Sequence, residues 1–267
     1  MSITEDRFDL ALRAMNGLAP EIALHENHKA RHLSVEVGVP NIRQVLAELG
    51  SLPKDALFLG MASDGLPVLL NLQDPVPGPL LVVGDNGVGK TNFLKTIAHS
   101  ITITHKPSEV QFGVVTGHPD EWDREMDSSH RVAIFPASHT GAQDLLLSLA
   151  SWANSNENAR RSVLLLMDDI EILAGFDFEV LQNLRWLLLR GPARHVWPIL
   201  TMNSASHRNT ATWLPAFRTR IFGRIENGEA AKALGGDKSS RLDELQAGTQ
   251  FSLRENGSWL RFWLPSL

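Results

Sequence analysis

Eight consecutive residues, Gly84-Asp85-Asn86-Gly87-Val88-Gly89-Lys90-Thr91, fit the phosphate-binding loop pattern GxxxxGK[ST]. Glycine at the first, fourth and sixth places lets backbone N–H groups turn inward around a polyphosphate. The amino end of a following helix, opening toward Asn92, adds positive dipole, and Lys90 reaches the β- and γ-phosphates. The Thr91 hydroxyl is the ligand type that magnesium takes from such a loop. Farther along, Val163-Leu164-Leu165-Leu166-Met167 ends in Asp168-Asp169, an apolar strand running straight into two carboxylates. Asp168 in that position can hold the water shell of magnesium, and Asp169 is placed to orient or deprotonate the attacking water. Together the two segments predict a nucleoside triphosphatase.

Other polar markers extend the set. Asn203 follows a predicted strand, where its amide could bond the γ-phosphate or its water. Arg218, Arg220 and Arg224 surround a late strand, and one of them could reach a neighbouring subunit's nucleotide as an arginine finger. Glu171 lies two residues after Asp169, on the same side if the strand continues, and is a second candidate base. His25, His28 and His32 have helical spacing, but no carboxylate or Cys completes a metal set. Trp259, Arg261 and Trp263 alternate along a final strand, which suits a packing face or a base-stacking platform, the former being the preferred reading.

The elements that must position these groups alternate in type, the signature of an α/β fold. Short runs rich in Val, Ile, Leu or Phe read as buried parallel strands: Leu80 to Val83, Val110 to Val115, Val132 to Phe135, Val163 to Met167, Val196 to Met202 and Arg220 to Ile225. Lys90 to Ile103, Gly141 to Ala153 and Glu179 to Leu189 supply helical crossovers. Ala56 to Met61 and Leu66 to Leu72 flank Ser63-Asp64-Gly65 as a hairpin, and Thr249 to Leu253 and Ser258 to Leu264 flank Asn256-Gly257 as another. Ahead of them, Phe8, Ala11, Leu12 and Met15 and then Asn41 to Leu49 predict two helices. The expected organisation is a helical extension over residues 1–54 and an ATPase domain over residues 55–267.

Composition narrows the function classes. The chain has 267 residues, 43% hydrophobic and 21% charged, with no cysteine, so disulfides and thiolate metal sites are excluded. Thirty acidic against 25 basic residues give a net charge of -5, without global attraction to nucleic acid or anionic lipid. No apolar run reaches the length of a membrane span, and Met1 to Leu12, with Glu5, Asp6 and Asp9, lacks the layout of a secretory signal. A cytoplasmic protein without direct membrane insertion is expected.

The order of these motifs resembles the FtsK/HerA branch of P-loop ATPases, which includes the FtsK and SpoIIIE DNA translocases and the EssC/EccC secretion ATPases. The resemblance spans about Asp55 to Leu264. It is carried by Phe58-Leu59-Gly60 through Gly65-Leu66-Pro67-Val68, by the loop into Thr91-Asn92-Phe93-Leu94, by Arg190-Gly191-Pro192-Ala193-Arg194-His195-Val196 and by Thr201-Met202-Asn203. Pro215 to Ile221, Ala233-Leu234-Gly235-Gly236 and Leu242 to Phe251 complete it. The resemblance implies a RecA-like core with a mostly parallel central sheet and a C-terminal β-hairpin. It also implies a hexameric ring with ATP and Mg2+ between subunits and a polymer, double-stranded DNA or a protein, in the centre. By the same resemblance Asn203 stands where such motors carry a sensing Gln or Asn, and Arg220, then Arg218, is the trans arginine. Asp169 departs from the family's usual Glu by one methylene. Gly117 to Ser129 and Ser204 to Thr212 are the segments suspected as pore loops.

Overall fold

The structure, a computed structural model, describes residues 39–123, 128–155, 161–255 and 257–267. The helix expected around Phe8 to Met15 and the triad His25, His28 and His32 lie outside the described residues, as do 124–127 and Asn256. Val39–Leu267 form one compact unit.

Among the described residues ten strands make a single sheet in the order β2-β1-β10-β9-β8-β3-β7-β6-β4-β5. The hairpin β1 (Ala56–Ala62) and β2 (Pro67–Asn71) is antiparallel, as is β9 (Gln250–Glu255) with β10 (Ser258–Trp263). The six strands β8 (Thr219–Phe222), β3 (Leu80–Gly84), β7 (Val196–Asn203), β6 (Ser162–Asp168), β4 (Val110–Thr116) and β5 (Arg131–Pro136) run parallel. Both expected hairpins are therefore present, and β1 joins β10 so that the two form one antiparallel wing.

Helices α1 (Ile42–Leu49), α2 (Lys90–Thr104), the single turn α3 (Asp120–Asp123), α4 (Thr140–Ser155), α5 (Phe178–Arg190) and α6 (Gly228–Ala233) complete the described elements. Side-chain alternation decides the layering. On β3, Leu81 and Val83 enter the core formed with α4 and α5, while Leu80 and Val82 enter the core formed with α2. On β6 the same division puts Val163, Leu165 and Met167 on the first face and Leu164 and Leu166 on the second. Strands buried on both faces read as unbroken apolar runs, and each fully buried Val or Leu contributes about 1.5–3 kcal/mol. A third cluster seats Ile42, Val45 and Leu46 of α1 on Phe58 and Met61 of β1. Helix α1 begins with the anticipated capping box, in which Arg43 N–H donates to Asn41 Oδ1 at 2.9 Å and Asn41 N–H to Gln44 Oε1 at 3.2 Å.

Two local expectations are corrected. The strand ending in Asp168 does not continue to Glu171, because Asp169 takes φ 84° and opens a 3₁₀ helix over Ile170–Gly175. Strand β8 stops at Phe222 rather than Ile225. Beyond it Gly223 N–H donates to Val83 O at 2.7 Å and residues 223–226 turn across the phosphate loop. A Cβ on Gly84 would lie 3.4 Å from Gly223 Cα and 2.6 Å from a Val88 methyl, so this crossing requires glycine at position 84.

Candidate active site

Three neighbouring strands deliver the polar groups to one edge of the sheet. β7 lies between β3 and β6, with Gly84 opposite Asn203 and Met167 opposite Leu200. Their carboxyl ends open onto a cavity of about 550 Å3, where ligands of open parallel sheets gather. A cavity of about 580 Å3 between α6 and residues 236–243 is as large, but no phosphate-loop residue lines it. Chemistry, not size, singles out the first.

The loop has the form its sequence requires. Gly87 and Gly89 take φ 74° and 91°, and Gly89 starts α2 without a side-chain cap, so the first helical N–H groups face the cavity. Lys90 Nζ donates to Gly84 O at 3.0 Å and to Asp85 O at 2.7 Å, which holds the ammonium within the curve of the loop. Burial pulls the Lys90 pKa below its usual value, against Asp169, Asp168 and Asp85, which favour the cation. Asp85 acts as a strut. Its carboxylate accepts from Ser204 Oγ and, at 2.9 Å, from Glu226 N–H, while its own N–H donates to Arg224 O at 2.9 Å.

Thr91 Oγ1 donates to one oxygen of Asp168 at 2.7 Å, and Thr201 Oγ1 donates to the other at 2.8 Å. A hydroxyl and a carboxylate oxygen in contact are the hard, compact donor set that magnesium accepts alongside water and phosphate oxygens. Thr91 and Asp168 therefore fit the ion. The Thr201 hydroxyl also accepts from Asp169 N–H at 3.0 Å, so one fully buried side chain holds the Asp168 carboxylate and the Asp169 backbone.

Asp169 holds a left-handed φ that a non-glycine residue adopts at a strain of about 1–3 kcal/mol. Burial raises its pKa, helped by the charges of Glu171 and Asp168 and opposed by the Glu171 N–H bond and Lys90. A carboxylate raised in this way is a better proton acceptor. Glu171 reaches the cavity through the 3₁₀ turn, not through a strand, and its carboxylate accepts from Ser206 Oγ. Asn203 Nδ2 donates to Asn86 Oδ1 at 2.6 Å, and its own oxygen accepts from Ala205 N–H at 3.1 Å, so the amide touches the phosphate loop itself.

The arginines are not gathered here. Arg220 donates to Leu234 O at 2.7 Å and to Leu214 O at 2.9 Å, tying β8 to two loops of its own subunit. Arg224 pairs with Glu226 at 3.1 Å, and Arg218 is exposed. On β10, Trp259 meets Phe222 edge-on and donates to Asp237, Arg261 pairs with Glu244, and Trp263 packs on the α1 cluster. These contacts make the three a packing face.

Sequence reasoning gives Thr201 no role in the site and places Ser204 and the pair Gly117-His118 in suspected pore loops, whereas Thr201 and Gly117-His118 line the cavity. Thr201 was visible only as a strand residue. Its register opposite Val82, one strand from Asp168, is what brings it into play.

Comparison with known proteins agrees with this geometry. Residues 54–168 match the FtsK/SpoIIIE family. No curated protein sequence matches the chain. Among solved structures, EccC ATPases 2 and 3 from Thermomonospora curvata in complex with a signal sequence peptide superpose with a TM-score of 0.64 at 17% identity, covering 85% of this chain and 43% of that one. The cytoplasmic domain of EssC gives 0.65 at 14% identity, covering 95% and 52%. The pCW3 conjugation coupling protein TcpA with ATPγS gives 0.63 at 12%, covering 87% and 71%. The chain thus spans about half the length of the EccC and EssC chains, and these likenesses show a shared fold. Over residues 54–168 the chain is similar to the FtsK/SpoIIIE family, and with its phosphate loop and acidic strand end it is a P-loop ATPase.

Proposed function

We propose that the protein hydrolyses ATP as a ring of subunits, six in number, and uses the cycle to move double-stranded DNA. The observation that supports the chemistry best is Asp168 held between Thr91 and Thr201 with Asp169 alongside. Bound magnesium would neutralise charge on the β- and γ-phosphate oxygens. Lys90 and the amino end of α2 hold the phosphates, Thr91 and Asp168 hold the ion, and Asp169 takes the proton of the attacking water, with Glu171 behind it. Asn203, bonded to Asn86, carries the state of the loop to β7 and onward to residues 204–208. Arg218, exposed and just ahead of β8, is our candidate for the arginine that reaches a neighbouring subunit, a choice supported by the internal bonds of Arg220.

DNA is the favoured polymer because the matching family is FtsK/SpoIIIE. A protein substrate is the second reading, favoured by the net charge of -5 and by the solved EccC complex with a signal sequence peptide. ATP turnover at low salt, with and without long double-stranded DNA and with Lys90→Ala as control, separates them. Stimulation by DNA that vanishes in Lys90→Ala supports translocation, and Lys90-dependent turnover indifferent to DNA refutes it.

A further inference from the structure

One wall of the phosphate cavity comes from β4. Thr116 ends that strand opposite Asp168, so Gly117 and His118 leave the sheet beside the turn that carries Asp169 and Glu171, and both line the cavity. In the sheet, β7 and β6 separate them from the strand of the phosphate loop. His118 therefore belongs to the carboxylate side of the cavity, across from Lys90 and the start of α2.

Its mount is fixed at both ends. Ala137 N–H donates to Thr116 O at 2.8 Å, His118 N–H donates to Thr116 Oγ1 at 3.0 Å, and His118 O accepts from Glu121 N–H at 3.2 Å. Trp122, fully buried, then anchors the connection in the core that α2 shares through Phe93 and Ile97. The imidazole itself is exposed and, among the described residues, makes no hydrogen bond. The other ionisable side chains of the cavity are engaged. Lys90 is held by loop carbonyls, Asp168 by Thr91 and Thr201, Asp169 by the Glu171 N–H and Glu171 by Ser206. Asn203 is spent on Asn86 and Ala205. A free donor on a rigid backbone is preorganised for a ligand in the cavity.

In phosphoryl transfer, charge spreads over the three equatorial oxygens of the γ-phosphoryl group. Under the ATPase reading, Lys90, Thr91 and Asp168 serve that group from the side of the loop. Asp169 and Glu171 stand on the other side, and their charges repel it. His118 is the lining side chain on that side able to offset them. A neutral imidazole carries a ring N–H as a protonated one does, so the contact requires no change of protonation.

We infer that His118 is a catalytic residue, whose ring N–H donates to a γ-phosphoryl oxygen and stabilises the charge that grows there as water attacks. In that step the water oxygen bonds to the γ-phosphorus. The bond from the γ-phosphorus to the bridging oxygen breaks, its electron pair leaves on ADP, and the water proton passes to Asp169. His118 keeps its proton throughout. The inference rests on the ATPase reading of the cavity and adds a donor on the side that the phosphate loop does not reach.

The test uses the full chain. ATP turnover, binding of Mg–ADP and binding of Mg–ADP with aluminium fluoride, which mimics the phosphoryl group in transit, are measured for wild type, His118→Ala, His118→Gln and Lys90→Ala, alongside thermal melts. His118→Ala should turn over about 10- to 100-fold more slowly and bind the aluminium fluoride complex at least about tenfold more weakly. Its ADP affinity should stay within about twofold of wild type and its melting temperature should match. His118→Gln, which keeps an N–H at similar reach, should lose less than His118→Ala in both turnover and analogue binding. Unchanged turnover in His118→Ala overturns the inference, as does an equal loss of ADP and of the aluminium fluoride complex, or a lowered melting temperature, each of which marks a structural role. A Gln variant as impaired as the Ala variant overturns it too. If Lys90→Ala turns over ATP as wild type does, the ATPase reading falls and this inference with it, whereas a Lys90-dependent wild type with an indifferent His118→Ala sinks this inference alone.

Discussion

Thr201 donates its hydroxyl proton to Asp168 at 2.8 Å and accepts the Asp169 N–H on the same oxygen at 3.0 Å. A single β7 side chain thereby holds the Asp168 carboxylate, the proposed metal ligand, and the backbone of Asp169, the proposed base. Thr201→Val keeps the shape and leaves the Asp169 N–H without its partner, which costs about 1–3 kcal/mol of stability. Turnover should fall by about 10- to 100-fold, and Thr201→Ser should restore most of it. Steady-state ATPase assays with parallel thermal melts distinguish lost alignment from lost folding.

Asp169→Asn removes the proposed base and retains the hydrogen-bonding shape and the tolerance for left-handed φ. ATP binding should persist, while turnover drops by about 10²- to 10⁴-fold. Because burial raises the Asp169 pKa, the acid limb of the wild-type pH–rate profile should lie above the ordinary carboxylate value of 3.8, with activity falling as pH drops through it. The stability sign is opposite. A carboxyl with a raised folded-state pKa favours folding below its unfolded pKa and loses that contribution as pH rises through the folded value. Asp169→Asn should therefore melt higher than wild type at pH 7, which calorimetry can check.

Arg220 and Arg218 should behave differently. Arg220→Ala leaves Leu214 O and Leu234 O without their donors, and a loss of about 1–3 kcal/mol should appear in denaturant unfolding. Arg218→Ala should leave the melting temperature unchanged. If Arg218 reaches the adjacent subunit's nucleotide, its variant should lose at least about tenfold in turnover, and mixing it with Lys90→Ala subunits should partly recover activity.

Burial lowers the pKa of both His105 and His195, in His105 against the charge of Glu109 and in His195 against that of Asp55. Each is held neutral, so its contribution to stability is present above the unfolded value of about 6.5 and is lost as pH falls through the folded value. The melting temperature should decline on acidification below about pH 6.5. His105→Gln with His195→Asn should flatten that decline, asparagine being chosen because position 195 has φ 60°.

Much of the architecture is legible locally. Gly84 to Thr91 needs only its own glycines, a preceding apolar strand and a following helix, and all eight residues are contiguous. The run from Val163 to Asp168 shows its burial on both faces through its unbroken hydrophobicity, and the Asn41–Gln44 box announces α1. The exceptions are where one residue changes the backbone. Asp169 at φ 84° ends β6, and nothing in Asp168-Asp169-Ile170 announces that turn.

The roles of Thr201 and Arg220 are set at another level. Thr201 reaches Asp168 because β7 inserts between β3 and β6, although 33 positions separate the two residues in the chain. Arg220 is drawn inward by carbonyls of two loops, and Ser266 ties the C-terminal segment to residues 39–42, more than 220 positions earlier. The sequence alone determined the phosphate loop and the acidic strand end, because neighbouring dihedral preferences and hydrophobic periodicity act over a few residues. Only the tertiary structure decided which hydroxyls hold the Asp168 carboxylate and which arginine is committed to its own loops, because hydrogen bonds and burial depend on groups that strand order brings together from distant positions.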